Sequence, residues 1–242
     1  MAQIFHRSTN TLSKVSIFGA LFIVVGLIAL VALIDRSPYV TQAGVVREQP
    51  VPFSHEHHVR GLGIDCRYCH SSVEQSSFAG MPSTKTCMTC HSQIWTNAQL
   101  LAPVREAYQT GKPIPWTRVH NLPDYVYFNH SIHIAKGVAC TTCHGPVDQM
   151  PLMYQQNTLH MRWCLECHRH PEKYIGPKAA VFKSNWINAN TMDFSDAVKI
   201  AELESTGKPV EFKNAAEMGE AMVSRYHVKG KEKLADCYTC HR

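Results

Sequence analysis

FNHSIHIAKGVACTTCHG, residues 128–145, decides how the rest of this chain is read. It holds Cys140, Cys143 and His144 in a Cys-x-x-Cys-His arrangement, the spacing of a c-type haem attachment site. There two thiols bond the porphyrin vinyls and the adjacent imidazole binds iron from one face. Upstream stand His130 and His133, available to the opposite face. The same signature recurs at Cys66, Cys69 and His70; Cys87, Cys90 and His91; Cys164, Cys167 and His168; and Cys237, Cys240 and His241. One copy would equally suit a zinc half-site or a redox dithiol. The repetition argues otherwise, because the pentads use all 10 cysteines and leave none for disulfides or a second zinc half-site. A zinc ribbon would not require a histidine after every second cysteine either. The expectation is five covalent c-type haems, with His70, His91, His144, His168 and His241 as proximal iron ligands.

Five haems on 242 residues would take up most apolar side chains, so the cofactors themselves are expected to form the core of a mostly α and irregular fold with little sheet. Lys plus Arg number 24 against 19 acids, a balance that ordinarily points to anionic partners. Five haems would bring ten propionates and, when ferric, one positive charge each. These offset the +5 of the polypeptide, and nucleic acid is not an expected partner.

Residues 15–34, VSIFGALFIVVGLIALVALI, carry no charge. Twenty residues at roughly 1.5 Å each span about 30 Å, the thickness of a bilayer core. A buried soluble helix would show a polar stripe, and a cleavable signal peptide a shorter apolar run and a small-x-small site. Neither is seen before Asp35 and Arg36, which favours an uncleaved, single-pass signal anchor in an inner membrane. Arg7 and Lys14 in the leading tail favour a cytoplasmic amino terminus. Haem attachment outside the bacterial cytoplasm agrees, placing the remainder in the periplasm. The expected organisation is a tail at 1–14, the anchor at 15–34, a turn-rich linker at 35–52 and a haem domain at 53–242.

That domain contains a duplication. Phe53-Ser-His55-Glu-His57-His58 precedes Cys66 as Phe128-Asn-His130-Ser-Ile-His133 precedes Cys140, and a second pentad then follows in each half, preceded by Met81-Pro82 or Met150-Pro151. The repeats span 53–91 and 128–168. Elsewhere, helical spacing predicts helices over 93–110, kinked at Pro103, over 193–205, capped by Asp193 or Ser195 and stopped by the Thr206-Gly-Lys-Pro209 run, and over 215–226.

Phe-x-His-x-x-His ahead of Cys-x-x-Cys-His resembles the class III multihaem cytochromes c and their trihaem relatives. The resemblance implies that His55 and His130 bind the haem attached just downstream, while His58 and His133 reach other haems. A closer likeness covers LLAPVREAYQTGKPIPWTRVHNLPDYVYFNHSIH at residues 100–133, MRWCLECHR at 161–169 and the anchor. These are similar to the pentahaem subunits of alternative complex III, a quinol-oxidising membrane complex; a hexahaem relative occurs in a periplasmic quinone-reductase complex. For the fifth distal ligand the likeness favours His120, with His160 and His227 as alternates; Met150, Met161, Met192 or Met222 would serve as a methionine ligand of higher potential. His57 and His170 read as surface residues, and His6 precedes the membrane segment.

The function so implied is electron transfer, with no catalytic residue in this chain. Expected partners are iron–sulfur and quinol-binding membrane subunits, and an external cytochrome c, copper protein or terminal oxidase as acceptor. A reductase with an open iron is disfavoured because no Cys-x-x-Cys-Lys occurs. A stand-alone quinol dehydrogenase would oxidise quinol without partners.

Overall fold

The computed structural model describes residues 4–184, 194–205 and 211–241. The chain forms two compact units, Met1–Gln42 and Ala43–Arg242. In the first, α1 (Ser8–Arg36) is followed by a single turn, α2 (Pro38–Thr41). Helix α1 has 29 residues, and its most apolar window has a mean hydropathy of 3.1 with none of it buried. It is long and apolar enough to cross a membrane, a property shared by anchors and signal sequences.

The second unit is built from short helices and irregular chain. They are α3 (Cys66–Cys69), α4 (Thr84–His91), α5 (Ala102–Thr110), α6 (His130–Ala135), α7 (Cys140–His144), α8 (Met161–Arg169), α9 (Phe194–Glu204), α10 (Ala215–Arg225), α11 (Lys231–Leu234) and α12 (Cys237–Cys240). Among the described residues pairing is confined to isolated β-bridges, such as Val46 with Tyr154 and Val138 with Ile175. Every pentad lies on a helical turn, which places cysteines three apart on one face. Asp65 and Asp236 cap α3 and α12 by accepting the backbone N–H of Arg67 and Tyr238. Helix α7 has no such cap, and the Ala139 before it is buried.

Among the described residues, buried apolar side chains gather in two small clusters. One gathers Val138, Ala139 and Ile175 with Ala197 and Ala201 of α9 and Met218, Met222 and Tyr226 at α10. The other gathers Val51, Val104, Ala107 and Ile114. Helix α10 comes so close to the 171–173 turn that a Cβ on Gly219 would overlap the Glu172 carbonyl.

Several sequence expectations are adjusted. Part of the expected linker belongs to the folded unit: Gly44 N–H donates to the Gln155 carbonyl at 2.7 Å, and Val51 is buried. The helix expected from 93 begins only at Ala102, after a 3-10 turn at Gln99–Leu101; Trp95 at φ 54° interrupts it, and Pro103 sits in the first turn, where its missing N–H costs nothing. Asn214 caps α10 by accepting from Glu217 N–H at 2.9 Å. Met192, Asp193 and the Thr206–Pro209 stop lie outside the described residues.

Candidate haem centres

Both histidine motifs fold into one turn around a phenylalanine. The Phe53 ring lies near-parallel to His58 at 4.4 Å and 24° and meets His55 edge-on at 4.9 Å and 86°. Phe128 repeats this with His133 at 4.5 Å and 25° and with His130 at 4.8 Å and 89°. The aromatic ring fixes both imidazoles, which explains why phenylalanine leads the motif.

Two imidazoles on opposite sides of one metal, with metal–nitrogen bonds of roughly 2.0–2.1 Å, hold their ring centres about 6.3 Å apart whatever their relative rotation. His58 and His91 are 6.3 Å apart, His130 and His144 6.4 Å, and His133 and His168 6.2 Å. His55 is half-buried, and its pKa is pushed down to about 4, first by desolvation and then by its neighbours His70 and His58. His144 is pushed down to about 3 by burial, then by His120, His130, His70 and His55. Burial thus keeps these rings neutral, the form that binds iron.

Hydrogen bonds choose the nitrogen. Nδ1 donates to a backbone carbonyl in His70 (Gly80, 2.7 Å), His91 (Ile94, 3.1 Å), His168 (Leu234, 2.8 Å) and His241 (Tyr125, 3.1 Å). It does the same in His58 (Ser54, 2.8 Å), His130 (Ser77, 2.8 Å) and His133 (Asn129, 2.7 Å). An Nδ1 proton so committed leaves the Nε2 lone pair for a metal. These carbonyls are functional groups that sequence reading misses, since backbone oxygen leaves no mark in residue type. His144 differs: its Nδ1 meets Nε2 of His120 at 3.2 Å. Nδ1 of His55 is buried with no hydrogen-bond partner.

The thiols also fall into order. Cys69 is raised by burial and then by the nearby Cys87. The thiols of Cys66 and Cys140 are hydrogen-bonded neighbours; that bond lowers Cys66 to about 7 and, with burial, raises Cys140. Cys143, pushed up to about 12 by burial, has Cys164 as its neighbour, and Cys164 in turn has Cys240. Neighbouring thiols therefore link the pentads in the order second, first, third, fourth, fifth.

The remaining candidates sit elsewhere. His120, expected opposite an iron, lies beside the Nδ1 edge of His144, ring centres 4.2 Å apart at 78°. His160 is the half-buried residue before α8, and His227, at φ 49°, is exposed after α10. His57 is exposed and lies parallel to Trp95 at 6.0 Å, and exposed His170 pairs with Glu172 at 3.3 Å. Met222 packs in the α10 cluster, Met150 is fully buried, and Met161 is 65% exposed.

This donor set fits c-type haem. None of the ten cysteines is in a disulfide, the paired imidazoles stand a metal's width apart, and Leu62, Tyr68, Phe78, Met81 and Ile94 offer apolar surface near the first two pentads in sequence. Among the described residues no group of three or more His, Cys, Asp or Glu is arranged to hold a bare metal ion. The family model for cytochrome c7 and related cytochrome c matches residues 51–102 and 126–192, one segment for each repeat. A multihaem cytochrome c subunit of menaquinone reductase from Nitratidesulfovibrio vulgaris is 34% identical over 151 residues, spanning 54% of this chain and 71% of that protein. With motif, imidazole pairing and both matches in agreement, the chain belongs to the cytochrome c7 and related multihaem cytochrome c family and carries covalently bound c-type haems.

Proposed function

We propose that this chain is the electron-transfer subunit of a membrane complex that oxidises quinol, holding five c-type haems in single file on the periplasmic side and delivering electrons to a periplasmic acceptor. The observation that carries the reading is the set of histidine pairs at 6.2 to 6.4 Å. Irons closed on both faces leave no position for substrate, so one-electron exchange is the chemistry the bound haems supply. In this reading His70 and His55 hold the first haem, His91 and His58 the second, His144 and His130 the third, and His168 and His133 the fourth. His241 holds the fifth, with His160 or His227 as candidate partner. Each repeat thus ties two haems with one turn of chain. The Nδ1 acceptors hold the orientation of the rings.

Two matches support the quinone link. The relative's name attaches a multihaem subunit to menaquinone chemistry. Residues 100–133 and 161–169 support alternative complex III, with iron–sulfur and quinol-binding subunits as electron donors and α1 as the anchor, amino terminus in the cytoplasm. The same relative favours a second reading, in which electrons run the other way, from a periplasmic donor through this subunit to quinone.

Haem analysis and paramagnetic resonance of the purified complex test the proposal. It requires five haems per chain, all low-spin; fewer haems, or a high-spin centre that turns over a small ligand, would overturn it. Following haem reduction with quinol, and then quinone reduction from pre-reduced haems, separates the two directions.

A further inference from the structure

His120 faces the one proximal imidazole whose Nδ1 does not meet a backbone carbonyl. The other four, His70, His91, His168 and His241, all use a carbonyl oxygen at 2.7 to 3.1 Å. For His144 the partner is Nε2 of His120 at 3.2 Å, with the rings nearly perpendicular. The opposite imidazole, His130, has its own Nδ1 on the Ser77 carbonyl and lies 6.4 Å from His144, so these bonds leave Nε2 of both rings unused. His120 therefore stands outside that pair.

The segment carrying His120 is also braced. Gln49 holds Thr117 by two bonds, accepting from its N–H at 2.9 Å and donating Nε2–H to its carbonyl at 2.8 Å. Arg47 donates to the Arg118 carbonyl at 3.0 Å, and Arg118 to Asn121 Oδ1 at 3.0 Å. Arg47 and Gln49 thus hold residues 117 and 118, and one internal bond ties Arg118 to Asn121 around His120.

We infer that His120 is a positioning residue, not an iron ligand, and sets the potential of the haem attached at Cys140 and Cys143 by accepting the Nδ1–H of His144. The inference rests on the haem-pair reading above and adds a role for a residue that reading leaves unused. An imidazole nitrogen is a stronger base than an amide oxygen. Donating to it makes His144 a more electron-rich ligand, which favours the ferric state and lowers that haem's potential relative to a carbonyl-bonded neighbour.

His120→Leu and His120→Gln, made in the full chain within its complex, test this by redox titration and paramagnetic resonance. His120→Leu should retain five low-spin haems while one component of the titration moves to higher potential. His120→Gln keeps an acceptor oxygen of carbonyl strength and should move the same component upward by less. A high-spin haem in either variant would identify His120 as a ligand and overturn the inference, as would unchanged potentials with every haem low-spin. Should His120→Leu fail to fold, His120→Gln decides by the same criteria. Failure of the underlying reading is separate, since it appears in the unaltered protein as fewer than five haems or a high-spin centre.

Discussion

Residues 53–70 and 128–144 hold the same device twice, and the two copies differ in what surrounds it. Ring geometry around Phe53 and Phe128 agrees to within 0.1 Å and 3°. The proton partners do not agree. In the first copy His55 Nδ1 has no partner and His70 uses a carbonyl; in the second His130 uses a carbonyl and His144 uses His120. Packing diverges too, since the second copy abuts the α10 cluster through Val138, Ala139 and Cys143. Duplication thus preserved what orients the imidazoles, and let the proton partners and the packing around them vary.

The largest effect should come from removing attachment. Cys140→Ala with Cys143→Ala, and Cys66→Ala with Cys69→Ala, should each remove one haem, read by intact mass. The second-repeat variant should also lose protease resistance, because its site adjoins the α10 cluster; equal protease sensitivity would show that the packing difference is unimportant. Next, His58→Ala and His133→Ala should each convert one haem to high spin with haem count unchanged, read by paramagnetic resonance. His130→Ala should do likewise in the second copy. An unchanged low-spin spectrum would break the pairing.

A sharper contrast concerns two glycines at the same place in the repeats, three residues before the first cysteine of each. Both have positive φ, 68° at Gly63 and 80° at Gly137. A Cβ at Gly63 would meet nothing, whereas at Gly137 it would collide with the Gly176 carbonyl. Gly63→Ala should cost about 1 kcal/mol from the left-handed backbone alone. Gly137→Ala should cost roughly 3 kcal/mol or more, since backbone must move as well. Chemical denaturation of the two variants measures the gap.

The smallest effect is at the caps. Asp65 is held below the usual carboxylate range chiefly by its hydrogen bond with the Arg67 side chain. A depressed folded pKa gives stability that is present above the unfolded value near about 3.9 and is lost as pH falls through the folded one. The pair is half exposed, so the contribution should stay below about 0.5 kcal/mol. Asp65→Ala should flatten that acid limb of the melting curve. The uncapped α7 has no carboxylate to lose.

Much of this was legible beforehand because covalent chemistry fixes residue type. Ten cysteines, five following histidines and the two Phe-led motifs announce the attachment sites, and an uncharged run of 20 residues announces α1. The place of His120 was not legible. A histidine ten residues before His130 reads as a spare ligand, and its contact with the Nδ1 side of His144 leaves no mark in the sequence. The helix at 93–110 was overextended because apolar spacing continues through Trp95, where the backbone turns left-handed. The carbonyl acceptors were invisible for a simpler reason: every residue has one.

The turn-rich stretch after the first pentad has a consequence of its own. Gly80 lends its oxygen to His70, and Ser77 lends its oxygen to His130, 53 residues further on. Ser76 and Ser77 also take the backbone N–H of Ser131 and His130. A gene severed between the two halves would therefore yield a downstream fragment with one of its imidazoles unsupported. The dependence runs one way, because the His70–Gly80 bond lies wholly within the upstream half.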